Sequence, residues 1–192
     1  MERKLRYRSI AISGKPGVGR TTLFQNLKKI LGSQGFEFFS GGEWSRQYAI
    51  EHKLHDPKDQ KHHTAAIYGD DIDYQIDVAM REKLEKEGSF VVESWIAGWN
   101  MRGLKHVLKV LLICDDALRI DRIVNREMLT VEEAKTHIKG REEENLTKWS
   151  RIYKVPLSDF FNPQYYDLVI NTYSHNQEET LKFALEKLGY KG

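Results

Sequence analysis

The chain has 192 residues, a length that suits one domain with most of its apolar surface buried. Hydrophobic residues make up 40% and charged residues 30%, a globular mixture that excludes a disordered chain. Thirty Lys plus Arg against 28 Asp plus Glu leave a formal charge of +2, which argues against attachment to nucleic acid by bulk charge, and the single cysteine, Cys114, excludes an internal disulfide and fits a reducing compartment.

The opening residues are charged (Arg3, Lys4, Arg6, Arg8), and the apolar run behind them is too short for a signal peptide. No apolar stretch approaches the roughly 20 residues of a membrane helix. A cytoplasmic monomer is expected, without a membrane or nucleic-acid partner.

Short apolar runs alternate with longer helical patterns, the signature of a parallel sheet covered by helices. Strands are expected over 8–13, 36–39, 90–93, 107–114 and 166–171. The fourth is almost continuously apolar (Val107, Leu108, Val110, Leu111, Leu112, Ile113), as in a strand buried on both faces. Helical spacing of Leu23, Leu27, Ile30 and Leu31 marks a helix over 21–31. A stripe of Ile72, Ile76, Ala79, Met80 and Leu84 marks another over 71–87, and Leu118, Ile120, Ile123 and Val124 a third over 117–127. Capping boxes begin two more at Thr130 and Asn176. The fold expected is a three-layer α/β/α sandwich with a five-stranded parallel sheet. It forms a single domain over 1–192, with two helical inserts at about 41–87 and 128–155 too long to be simple crossovers.

Residues 13–22 read SGKPGVGRTT between a strand and a helix. Gly14 and Gly19 stand at the spacing of the G-x-x-x-x-G-K-S/T phosphate loop, with Thr21 in its last place. Gly14, Gly17 and Gly19 let successive N–H groups turn inward toward phosphate oxygens, and the helix behind adds its positive end. The phosphate-binding set is therefore Gly14, Lys15, Gly17, Val18, Gly19, Arg20, Thr21 and Thr22, with the Thr21 hydroxyl placed for Mg²⁺. Arg20 occupies the place of the loop lysine. It keeps the charge but brings a wide planar fork in place of a compact ammonium, and Lys15 could reach over as a substitute.

Taken in order, the motifs resemble the short, archaeal-type cytidylate kinases of the nucleoside monophosphate kinase family. After the loop, residues 40–46 (SGGEWSR) are similar to the nucleotide-entry motif, residues 91–99 (VVESWIAGW) to the strand-end motif, and residues 166–172 (YDLVINT) to the last strand. Arg119, Arg122 and Arg126, at i, i+3 and i+7, together with residues 141–144 (REEE), resemble the arginine-bearing lid. The resemblance implies transfer of the ATP γ-phosphoryl group to CMP or dCMP, with Mg²⁺. Arg20, Arg122, Arg126 and Arg141 would be the charge-neutralising residues, and Gly41 and Arg46 would seat the acceptor phosphate.

Glu93, at a strand's carboxyl end, could hold a Mg²⁺-bound water beside Thr21. Asp73 and Asp77, four apart on one helix face, could accept from an exocyclic amine, although acids at a helix start also serve capping. Kinases of this type usually carry an arginine two residues after the strand-end acid, and this chain has Trp95, which stacks on a base or simply packs. The pair His62 and His63 and the polar segment 51–60 read as exposed surface, and Trp44, Trp99 and Trp149 as packing residues. Three other readings stay open. One is a kinase for another small acceptor. Another is an ATP-binding sensor with altered transfer machinery. The third is a partitioning-type switch ATPase, whose K-G-G-V-G-K-T-T loop resembles residues 15–22.

Overall fold

The structure, a computed structural model, describes residues 5–59, 61–86 and 88–191. Arg3 and Lys4 of the basic N-terminus, Gln60, and Glu87 at the expected end of the second helix lie outside the described residues. Five strands form one parallel sheet: β1 (Ser9–Ser13), β2 (Phe36–Ser40), β3 (Ser89–Glu93), β4 (Val107–Ile113) and β5 (Leu168–Asn171). Their order across the sheet is β2-β3-β1-β4-β5. Between them run α1 (Arg20–Leu31), α2 (Gly41–Glu51), α3 (Asp70–Glu85), α4 (Ala97–Asn100), α5 (Asp116–Glu127), α6 (Val131–Tyr153) and α7 (Gln177–Leu188).

Alternation along the strands divides the interior into two layers. Ile10, Ile12, Val91, Leu108, Val110 and Leu112 face α1 and α7, where Leu23, Leu27, Ala184 and Leu188 complete one cluster. Ala11, Phe90, Val92 and Val107 face the other way, onto Ile76, Met80 and Leu84 of α3 and Ala97 and Met101 at α4. Helices on both sheet faces make the expected three-layer sandwich. In the stripe read along α3, Ile76, Met80 and Leu84 are buried and Ala79 is exposed. The short α4 follows Ile96, and no periodicity of so brief a helix is readable in sequence.

Two further clusters lie beyond the sheet edge. Trp95, Trp99, Trp149 and Phe160 form an aromatic core under α6, and Ile123 of α5 packs on Ala134 and Ile138 of α6. α6 begins with the expected capping box, in which the Thr130 side chain accepts from Glu133 N–H and Glu133 reaches back to Thr130 N–H. α7 begins the same way at Asn176 and Glu179. Trp99 and Trp149 pack as expected, but Trp44 is 39% exposed: it stacks along α2 on Tyr48 and leaves one face to solvent. None of the helices described is long and apolar enough to cross a membrane.

Parallel register brings the strand ends together. Glu93 is paired with Ile12 of β1 and with Ser40 of β2, so the phosphate loop, the start of α2 and the end of β3 meet at one carboxyl edge. The connections leaving β1 and β4 diverge there, the place where open α/β sheets form a crevice.

Candidate active site

The loop after β1 is built from backbone conformations that only glycine adopts without strain. Gly17 has φ +80°, and a Cβ there would stand 2.7 Å from the Arg119 carbonyl oxygen. At Gly14 it would stand 2.6 Å from that of Leu112. Gly19 opens α1 in a left-handed conformation, with no side-chain cap and no acid in the first turn. By contrast Ser40, Asp115, Thr130 and Asn176 each cap their helices. The first-turn amides of α1 therefore present their positive end to a ligand anion.

Four bonds from neighbouring elements fix the loop. Gly14 N–H donates to Trp95 O at 3.0 Å, Arg119 Nε to Pro16 O at 2.8 Å, Arg122 Nη1 to Gly17 O at 3.1 Å, and Thr172 Oγ1 to Val18 O at 2.9 Å. This corrects the expected face of three guanidinium groups. Arg119 lies behind the loop, on Pro16, Asp116 and Glu142. Arg122 borders the cleft but spends its fork on Gly17 and Thr172. Lys15 borders the cleft and is also engaged, at 2.7 Å from Glu142 of α6.

The cleft has a volume of about 840 Å³ and runs from the loop to the inner faces of α3 and α6. Val18, Thr21, Thr22 and Arg20 border its loop end. Arg20 Nη1 sits 3.0 Å from Glu93 Oε2, and Ser40 Oγ donates to the other Glu93 oxygen. Burial pulls the Arg20 pKa below its ordinary value, opposed by Glu93 and reinforced by Arg126.

Beside Glu93, Gly41 packs its α-carbon face against Ser94 and the Glu93 carbonyl, which seats α2 on the end of β3. Arg46 borders the cleft with its fork on loop carbonyls, Nη2 on Asp59 O at 2.7 Å and Nη1 on Lys61 O at 3.4 Å. Asp73 is buried, accepts from Trp149 Nε1 at 3.1 Å and pairs with Lys148. Burial raises its pKa against the hydrogen bonds from Lys148 and Trp149. Asp77 accepts from the Tyr153 hydroxyl, and burial pushes its carboxyl up to about 7 against that bond. Both acids border the cleft, and both already tie α3 to α6.

Trp95 is 9% exposed, lies 5.4 Å edge-to-face from Trp149, and carries the Arg141 guanidinium 5.5 Å above its ring. Arg141 is buried, donates from Nε to His63 O at 3.1 Å, and is pushed down to about 10 by burial. Arg126 is half-exposed at the cleft rim. The two histidines expected on the surface border the cleft, His62 with 43% of its side chain exposed. His62 contacts Glu127, and His63 is brought down to about 4 by burial and by the neighbouring His55 and Arg141. Their segment folds back over the end of α5 and the middle of α6, a long-range contact that local polarity does not reveal.

Asn145, Lys148 and Glu127 were not identified from sequence. Asn145 accepts from Ala65 N–H at 2.7 Å, and Lys148 Nζ donates to the carbonyls of Ala65, Tyr68 and Gly69. Arg141, Asn145 and Lys148 stand at i, i+4 and i+7 on α6, a polar helical face that periodicity makes visible. Glu127 carried no signal beyond its place at a helix end.

A glycine-built phosphate loop before a helix, opening on a cleft at the carboxyl edge of a parallel sheet, defines a P-loop kinase. Solved structures agree on the fold. A gluconokinase from Sinorhizobium meliloti superposes with a TM-score of 0.58 at 13% identity, covering 96% of this chain and 93% of that one. A shikimate kinase from Acinetobacter baumannii, in complex with shikimate, gives 0.52 at 16%, covering 94% and 92%. The cytidylate kinase-like family matches residues 9–174, and the chain belongs to that family. A cytidylate kinase from Methanothrix thermoacetophila is 34% identical over 92% of this chain and 95% of its own length. One from Haloarcula marismortui is 32% identical over 92% and 86%. The chain is thus a phosphotransferase of the nucleoside monophosphate kinase type.

Proposed function

We propose that this protein transfers the γ-phosphoryl group of ATP to CMP or dCMP, giving ADP and CDP or dCDP. The observation that carries the reading is the uncapped, glycine-built start of α1, facing across one cleft the buried cation Arg141, the buried acid Asp73 and the half-buried acid Asp77. The loop amides from Gly14 to Thr22, with Arg20, take the donor phosphates. Arg46, beside Gly41, and Arg141 take the acceptor phosphate, and Arg126 and Arg122 share the charge spread over the group in flight. An acceptor phosphate oxygen attacks the γ-phosphorus in line, the bond to the β–γ bridging oxygen breaks, and ADP leaves with that electron pair. Alignment and neutralisation supply the acceleration.

Asp73 and Asp77 face the base, where a carboxylate oxygen accepts from the cytosine amine, and Trp95 walls that subsite. Thr21 and Glu93 both border the cleft and offer oxygen only, a donor set suited to a hard divalent cation. They would hold Mg²⁺, which when bound neutralises charge between neighbouring phosphates. The segments around 41–87 and 128–155 act as the acceptor-binding insert and the lid, closing on the bound pair.

The test is ADP formation by the purified protein with Mg-ATP and each nucleoside monophosphate in turn. Turnover confined to CMP and dCMP is expected. No turnover with any monophosphate, with ATP still bound, sinks the reading.

A further inference from the structure

Glu127 ends α5 with its carboxylate fully enclosed, and it gathers partners from three segments. His62 Nδ1, from the stretch between α2 and α3, lies 3.0 Å from Oε1. The adjacent Arg126 guanidinium donates to the same oxygen. His137 Nε2, from α6, stands 3.3 Å from Oε2, close enough for an ion pair though not aligned as a hydrogen bond. The Glu127 side chain has 0% exposure, against 43% for His62 and 44% for Arg126. Burial alone would raise the carboxyl's pKa, and the close approach of His137, His62 and Arg126 overcomes it, holding Glu127 far below the usual carboxylate range. It therefore stays charged, and a charge so enclosed persists only among such partners.

Two of the three partners, His62 and Arg126, border the cleft, while Glu127 sits behind them. We propose that Glu127 is a positioning residue for phosphoryl transfer, aiming Arg126 and His62 into the cleft and, through His62 and His137, holding the acceptor-side segment against α6. This rests on the kinase reading above. Arg126 is long and half-exposed, so without a fixed anion beside it the guanidinium spreads over many rotamers and the transferring group loses an aligned cation.

A purely structural ion centre would give the same contacts but a different loss. Glu127→Gln keeps the shape and removes the charge. The expected result is a fall in kcat of about 10- to 100-fold, with the KM for ATP within about threefold and the circular dichroism unchanged. In an Arg126→Ala background the same change should cost less than about threefold further, because coupled residues are not additive. A kcat within twofold of the unmodified protein, or losses that multiply in the double variant, would overturn the proposal. If Glu127→Gln does not fold, His62→Asn carries the test: at least a fivefold loss of kcat at unchanged melting temperature supports it, and an unchanged kcat overturns it. If the unmodified chain turns over no CMP, the kinase reading falls by itself. Amide hydrogen exchange at residues 61–64 then decides: tenfold faster exchange in Glu127→Gln supports the positioning role, and unchanged exchange overturns it.

Discussion

Arg20 Nη1 and Glu93 Oε2 stand 3.0 Å apart at the floor of the cleft, with 14% and 4% of their side chains exposed. The residue in the place of the loop lysine is thus held by the carboxylate at the end of the neighbouring strand. A donor phosphate and Glu93 compete for one guanidinium, and a metal ion on Glu93 would release it.

Glu93→Gln removes the competing charge and keeps the shape. Binding of a non-hydrolysable ATP analogue without Mg²⁺ should tighten by about threefold or more, the scale of one neighbouring charge in a partly buried site. The Mg²⁺-supported kcat should fall at least about tenfold. Arg20→Ala, in contrast, leaves an enclosed carboxylate unpaired and should lower stability by about 3–5 kcal/mol. Nucleotide titration and urea unfolding read both effects, and an Arg20→Ala protein as stable as the unmodified one would contradict the pairing.

Trp95 joins three things at once: its carbonyl holds Gly14 N–H, its ring meets Trp149, and Arg141 lies over that ring. Trp95→Ala should cost about 3–5 kcal/mol through the cavity left behind. Trp95→Phe keeps a ring at both contacts and should hold kcat/KM for CMP within about threefold. Trp95→Arg sets a second guanidinium beside the buried one of Arg141. It should therefore melt lower than Trp95→Phe, as thermal unfolding of the three variants will show.

Burial pushes the Asp77 carboxyl from the usual 3.8 to about 7, and Tyr153 and Asn100 only partly oppose this. Between these values the folded protein keeps a proton that the unfolded chain has released. The stability contributed by the protonated group is complete below about pH 4 and is lost as pH rises through 7. Asp77→Asn cannot ionise and still accepts from Tyr153. From pH 5 to 8 the unmodified protein should lose on the order of 2 kcal/mol relative to this variant. Urea midpoints across that range test it, and parallel curves would refute it. His63, whose pKa is displaced downward, is common to both proteins and cancels.

The strands were legible because each is a short apolar run between turn-forming residues, and the phosphate loop because glycine spacing is a local constraint. Arg141 and Trp95, singled out from sequence, both border the cleft. What they do there was not legible: a guanidinium over an indole depends on α6 crossing the end of β3, which no window of sequence contains.

The sequence by itself determined the layered sheet, the loop that opens α1 and the family of the chain, because alternation, helical period and the backbone needs of glycine act over a few residues. Tertiary structure alone decided which cations face the cleft. Arg119 and Arg122 share a helix face with Arg126, yet Arg119 supports the loop from behind, Arg122 borders the cleft with its fork on Gly17 and Thr172, and Arg126 stays at the rim. His62 and His63, in a polar stretch, were carried inward to the cleft and to an enclosed Glu127. The reason is that a guanidinium or imidazole takes whichever acceptor the packing brings within reach, and acceptors such as Pro16, Gly17 and Glu127 are 65 to 105 residues away from them in the chain.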